Sequence, residues 1–139
     1  MTEKQSTPAE RRGAAELWLR LAREDLDVAG SSPGRLGRHQ AFWAQQAAEK
    51  AIKSLLVLNN LDPPKIHDLN ELISLVPVDW DFSWDVIELR SLSQWAVDTR
   101  YPPLADDIDP EEAAIGVAVA AAIVARVTEV IKTLQPSEE

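Results

Sequence analysis

The chain has 139 residues, a length that supplies one domain able to bury roughly two thirds of its unfolded surface without covalent staples. It is 45% hydrophobic and 27% charged with 5 Gly, which excludes collagen-like and disordered classes; no Cys and 2 His exclude thiol chemistry and leave too few ligands for a zinc site. The net charge of −9 is uneven: the first 67 residues carry 10 basic and 8 acidic side chains and the rest 4 and 15, so an anion site belongs in the first half or at an isolated basic residue of the second.

From Met1 to Arg12 there are charges but no apolar run, so neither a secretory signal nor an anchor is read there and a cytoplasmic location is expected. Residues 1–13 read as a flexible segment. From Ala14 to Ala29, the positions Ala14, Leu17, Trp18, Leu21, Ala22 and Val28 recur at three- and four-residue spacings, predicting a helix with one buried stripe that ends at Gly30. Ser31-Ser32-Pro33-Gly34 is turn chemistry.

A second helix is predicted from His39 to about Leu58, on the apolar line Phe42, Trp43, Ala47, Ala48, Ala51, Ile52, Leu55 and Leu56. Asn59 and Asn60 tolerate left-handed backbone and suit its end, and Asp62-Pro63-Pro64 forces an extended link. A short helix follows, capped by Asp68 and stopped before Pro77. The next helix runs from about Trp84 to Thr99; Pro102 and Pro103 end it and hold Arg100 and Tyr101 at a stiff corner. Asp109-Pro110-Glu111-Glu112 starts the last helix, which reaches about Leu134, and residues 135–139 form a frayed tail. Its apolar stretch, Ala113 to Ala125, falls short of the roughly 20 residues needed to span a bilayer, so a buried helix and no membrane partner are expected. The fold class predicted for residues 14–134 is all-α, an antiparallel four-helix bundle with an additional short helix.

No glycine-rich phosphate loop and no nucleophile elbow is present. One polar constellation stands out: Gln46, Glu49, Lys50 and Lys53 on the second helix, His67 with Asp68, and Arg100-Tyr101 at the proline corner. Gln46, Lys50 and Lys53 fall at i, i+4 and i+7, so their side chains point the same way and could meet a phosphate together. The plainer alternatives are a solvated flank with a local Glu49 ion pair, a helix-start cap at His67-Asp68 with the imidazole near a carboxylate, and an Arg100 that binds a helix-end carbonyl. The five Trp, at 18, 43, 80, 84 and 95, read as core and interface more than as a base-stacking platform.

Ala-Gln-Gln-Ala-Ala-Glu-Lys-Ala-Ile-Lys-Ser-Leu-Leu at 44–56, then His67-Asp68-Leu69 with Leu72, then Thr99-Arg100-Tyr101-Pro102, closely resemble the HEPN domain family, named for higher eukaryotes and prokaryotes nucleotide-binding. The likeness covers about residues 14–134. It implies an all-helical bundle, usually a homodimer, often encoded beside a minimal nucleotidyltransferase and forming a toxin–antitoxin pair with it. Many relatives are metal-independent ribonucleases with Arg, four to six residues, then His: Arg holds the scissile phosphate and His moves a proton. This chain departs from that pattern, because Arg100 is followed by Tyr-Pro-Pro-Leu-Ala-Asp-Asp, and neither His39 nor His67 stands at that distance after an Arg.

The resemblance therefore implies first a binding and interaction module, with Gln46, Lys50, Lys53, His67, Arg100 and Tyr101 as the nucleotide- or RNA-phosphate set and a nucleotidyltransferase as partner protein. The alternative is a ribonuclease in which Arg100 binds phosphate and His67 arrives from a neighbouring helix or subunit as the proton-transfer group. No metal and no cofactor is expected in either. Five Trp and a long apolar helix in so short a chain favour a C2 homodimer, since they offer more apolar area than one core can bury.

Overall fold

The computed structural model describes residues 6–31, 37–76 and 110–133. Four helices run through these residues: α1 (Pro8–Gly30), α2 (Gly37–Leu58), α3 (Leu69–Ser74) and α4 (Pro110–Thr133). No strand occurs among the described residues. The helix expected from Trp84 to Thr99, the Arg100-Tyr101 corner, Trp80, Trp84, Trp95, the Asp109 cap, most of the turn after Ser31 and the tail all lie outside the described residues.

α1 begins six residues before the expected Ala14, so residues 8–13, expected as part of an N-terminal segment, form the first turns of this helix. Thr7 explains the early start. Its hydroxyl accepts from the Glu10 backbone N–H at 3.0 Å while the Glu10 carboxylate accepts from the Thr7 N–H at 2.9 Å, a complete capping box with Pro8 in the first turn, where its missing N–H costs nothing.

The buried face of α1 is Ala15, Leu19, Ala22, Asp25 and Ala29, not the stripe of larger residues. Leu17, Leu21 and Val28 are exposed and Trp18 is half-buried. Small residues win because α1 lies along the alanine face of α2, where Ala41, Ala44, Ala47, Ala48 and Ala51 have no exposed surface, and small facing side chains allow two helix axes to approach closely.

α1 and α2 are antiparallel. The Gln40 side chain, near the start of α2, donates to the Ala29 carbonyl at the end of α1, and at the other end Ser6 Oγ donates to Asn60 Oδ1. α2 is the central element: it packs on α1, α3 and α4, and Ile52, Leu55 and Leu56 meet Leu69 and Leu72 of α3 and Ile123 and Val127 of α4 in one apolar cluster. Phe42 and Trp43 are half-buried and meet edge to face with ring centroids 5.3 Å apart.

α2 ends as its two asparagines require. Asn60 takes φ 64°, and the Leu61 N–H donates to the Leu56 carbonyl while the Asn60 N–H donates to that of Val57, the paired bonds of a Schellman motif. The chain then crosses to Asp68, whose carboxylate accepts from the backbone N–H groups of Asn70 and Glu71 and caps α3 as anticipated. In α4 the inner face is Ala113, Gly116, Ala120, Ile123, Val127 and Ile131, while Ala114, Ile115, Ala118, Ala122 and Ala125 are exposed, so only one side of the expected buried helix is covered. Its apolar character continues past Ala125, and by length and composition alone Glu111–Thr133 is sufficient to cross a bilayer.

Candidate functional site

The polar residues of α2 form two rows. Gln45, Glu49 and Lys53 repeat at i, i+4 and i+8 and face the segment that leads into α3; Gln46 and Lys50 lie one row over, toward α1. Gln45 is fully buried, and Glu49 and Lys53 are 6% and 7% exposed, so this line belongs to the core despite its chemistry. Buried polar groups persist only when their hydrogen-bonding capacity is used, and here it is.

Glu49 is the hub. Its Oε2 accepts from Lys53 Nζ at 2.8 Å, and its Oε1 accepts from Gln45 Nε2 at 2.9 Å and faces His67 Nδ1 at 3.0 Å. Burial alone would raise the Glu49 carboxyl, but the bonds from Lys53, His67 and Gln45 outweigh it and hold the group below its ordinary value of 4.5. An ionised carboxylate has no hydrogen to offer, so His67 Nδ1 carries the proton and donates. Gln45 Nε2 also donates to the His67 backbone carbonyl at 3.1 Å, which leaves the Gln45 Oε1 to accept from Gln46 Nε2 at 2.9 Å.

His67 is therefore held at two points, main chain and ring. Its side chain is 45% exposed although its partner Glu49 is 8% exposed, so the ring lies across the surface with Nδ1 inward. Nε2, on the far edge of a planar ring, is the nitrogen presented outward. A carboxylate that fixes the tautomer and direction of an imidazole is the arrangement by which proteins make one ring nitrogen a defined acceptor, proton carrier or anion contact.

The structure brings together some of the residues singled out in the sequence and separates others. Lys53 and His67 converge on Glu49. Lys50 turns the other way and forms an ion pair with Asp25 of α1. Among the described residues Gln46 reaches its neighbour Gln45. Gln46, Lys50 and Lys53, expected to point one way, thus diverge: they share a broad helical face, but each lysine swings to the acid on its own side. The Glu49 ion pair anticipated as a solvated flank exists, but it is buried. The carboxylate beside His67 is Glu49 and not Asp68, which is occupied with the α3 cap. Arg100 and Tyr101 lie outside the described residues.

Three residues of this network were not among the expected binding set: Gln45, Glu49 and Asp25. The first two left a trace in the sequence, since Gln45, Glu49 and Lys53 follow one helical row inside an alanine run too apolar to face water. Asp25 left none, because its partner is on another helix. Among the described residues no group of His, Asp and Glu is arranged to hold a metal ion.

Comparison with known proteins agrees with this architecture. Residues 15–131 match the HEPN domain family. The crystal structure of TT1696 from Thermus thermophilus is similar, with 32% sequence identity and a TM-score of 0.71, over 83% of this chain and 96% of that one. Curated proteins give no match. With an all-helical bundle in place, the polar row of α2 tied to the His-Asp-Leu turn, and the family match spanning most of the sequence, the chain belongs to the HEPN domain family.

Proposed function

We propose that the protein is a nucleotide-binding and interaction module, the HEPN half of a toxin–antitoxin-type pair with a minimal nucleotidyltransferase, and that it engages phosphate through the outward Nε2–H of the His67 imidazolium, the doubly protonated ring whose Nδ1–H is held by Glu49. The observation that carries this reading is the Glu49–His67 contact: a buried carboxylate aims an exposed imidazole, and a core histidine needs no such exposure. Lys53 keeps Glu49 ionised, Gln46 and Lys50 border the row, and Arg100 and Tyr101 supply a further cation and hydroxyl in this proposal. Family membership supports the pairing with a nucleotidyltransferase and a homodimer; the exposed Leu17, Leu21 and Val28 of α1 and Ile115 of α4 are apolar surface suited to a second copy.

A second reading is favoured by the same geometry: a metal-independent ribonuclease in which His67 Nε2 accepts or delivers the proton and Arg100 holds the scissile phosphate. One set of proteins tests both. Isothermal titration of wild type and His67→Ala with ATP and with short RNA in low salt is expected to give binding that weakens about tenfold in the variant. No heat from wild type at tens of micromolar removes nucleotide binding. Cleavage of the RNA that is lost in both His67→Ala and Arg100→Ala selects the ribonuclease; cleavage unchanged in both variants assigns it to a contaminant.

A further inference from the structure

The carboxylate of Glu49 does more than aim the ring of His67. Its Oε1 accepts from Nδ1 at 3.0 Å and from the Gln45 amide, and its Oε2 is held by the ammonium of Lys53 at 2.8 Å. Buried and kept ionised by these donors, it can only accept, so the hydrogen on Nδ1 stays in place whether the ring is neutral or charged.

Imidazole is the side chain whose charge changes between about pH 5 and 8, and in a free ring either nitrogen can give up its hydrogen. Here one nitrogen is pinned against a buried anion. Gain and loss therefore fall on Nε2, the nitrogen presented outward, and titration reverses the polarity of a single surface atom: donor in the charged ring, lone pair in the neutral one. Among the described residues Glu49 is the one charged group bonded to the ring, with Lys53 behind it on the same carboxylate. Lys65, Asp68 and Glu71, the charged residues nearest to it along the chain, are exposed, so solvent and salt screen them; Asp68 is also occupied by the N–H groups of Asn70 and Glu71.

We infer that proton uptake at His67 Nε2 gates anion binding at this site, so that the ring holds a phosphate oxygen when charged and releases it when neutral. The gate rests on the proposed phosphate contact at His67 and states how that contact is made and broken. In the charged ring Nε2–H donates to the oxygen as a charge-assisted bond. In the neutral ring the lone pair of Nε2 meets the lone pairs of that oxygen, so hydrogen bond and attraction vanish together. Binding to the neutral form is therefore coupled to uptake of one proton from solvent at Nε2, and release returns it. Glu49 is what makes the response sharp. Without it, a neutral ring could place its remaining hydrogen on Nε2 and keep a phosphate contact at high pH; with Nδ1–H held inward, that escape is closed.

The test is titration calorimetry of the full chain with an oligouridylate that lacks terminal phosphates, from about pH 5.5 to about pH 8, a range in which imidazole titrates and neither uracil nor a phosphodiester does. Wild type is expected to bind about tenfold more weakly at the upper end, approaching His67→Ala, whose affinity stays level. Heats in two buffers of different protonation enthalpy are expected to show wild type taking up protons as it binds and the variant none. His39, the other imidazole, is present in both proteins and cancels in the comparison. In the free protein, nitrogen NMR is expected to show Nε2 losing its hydrogen as the pH rises while Nδ1 keeps its own; the reverse overturns the gate with no ligand present. Wild-type binding that is independent of pH, or that falls equally in His67→Ala, overturns the gate and leaves phosphate binding standing. No heat at any pH removes the phosphate contact and the gate together.

Discussion

A carboxylate among alanines destabilises a helix bundle unless donors surround it, and Glu49 has three: Lys53, Gln45 and His67. Glu49→Gln keeps the shape but leaves the ammonium of the buried Lys53 without its anion. Breaking one side of such a buried pair costs on the order of 3–5 kcal/mol, measurable by urea unfolding at neutral pH. The pH dependence has a definite sign. Because the folded carboxyl is held below its ordinary value, its contribution is fully present above 4.5 and is lost as the pH falls through the lower folded value. Wild type should therefore lose stability below about pH 4.5 more steeply than Glu49→Gln does, and parallel acid limbs for the two proteins would remove the role given to this carboxylate. The imidazole gives a second reading of the same contact. Nitrogen NMR of neutral His67 is expected to find the proton on Nδ1, and a proton on Nε2 contradicts a ring that donates inward to Glu49.

At the scale of the helix, α1 is the instructive case. Its apolar residues offer two overlapping stripes, and hydrophobicity favours the one with Leu17, Leu21 and Val28, yet the inner face is the one with three alanines. The deciding quantity is the fit to the partner helix, which a single helix does not display. Leu19→Ala is expected to cost about 2–5 kcal/mol and Leu17→Ala less than about 0.5 kcal/mol in urea unfolding; the reverse order would place the wrong face inward. The ends of the elements were more legible than their faces, because caps are local chemistry. Asn60 at the end of α2 and Asp68 before α3 act as their residue types suggest, and the Thr7–Glu10 box that starts α1 was equally visible in the sequence, although the apolar periodicity there begins only later. Likewise, the helical class of the chain is written in its 3.6-residue periodicity, whereas the Lys50–Asp25 and Glu49–His67 contacts join residues 25 and 18 positions apart, and no spacing rule reaches that far.

For the molecule as a whole, α2 is both the centre of packing and the carrier of the candidate site, so polar function and core share one helix. That coupling explains why Glu49 and Lys53 look like surface residues in sequence and are buried in the fold. It also moves apolar surface outward. The side chains left exposed on α1 and α4 are a standing reason for two copies to associate, and sedimentation at micromolar concentration is expected to give a mass near twice 15.4 kDa, with the monomer mass as the contrary result.

Gln45 grips the carbonyl of position 67 and not its ring. The loop is therefore anchored by an atom that every amino acid possesses, and whatever residue stands at 67 is delivered to the same spot. A panel of replacements there keeps the main-chain grip but gives up the ring's bond to Glu49, so Gln and Asn, which can still donate to that carboxylate, are the replacements that separate reactivity from support.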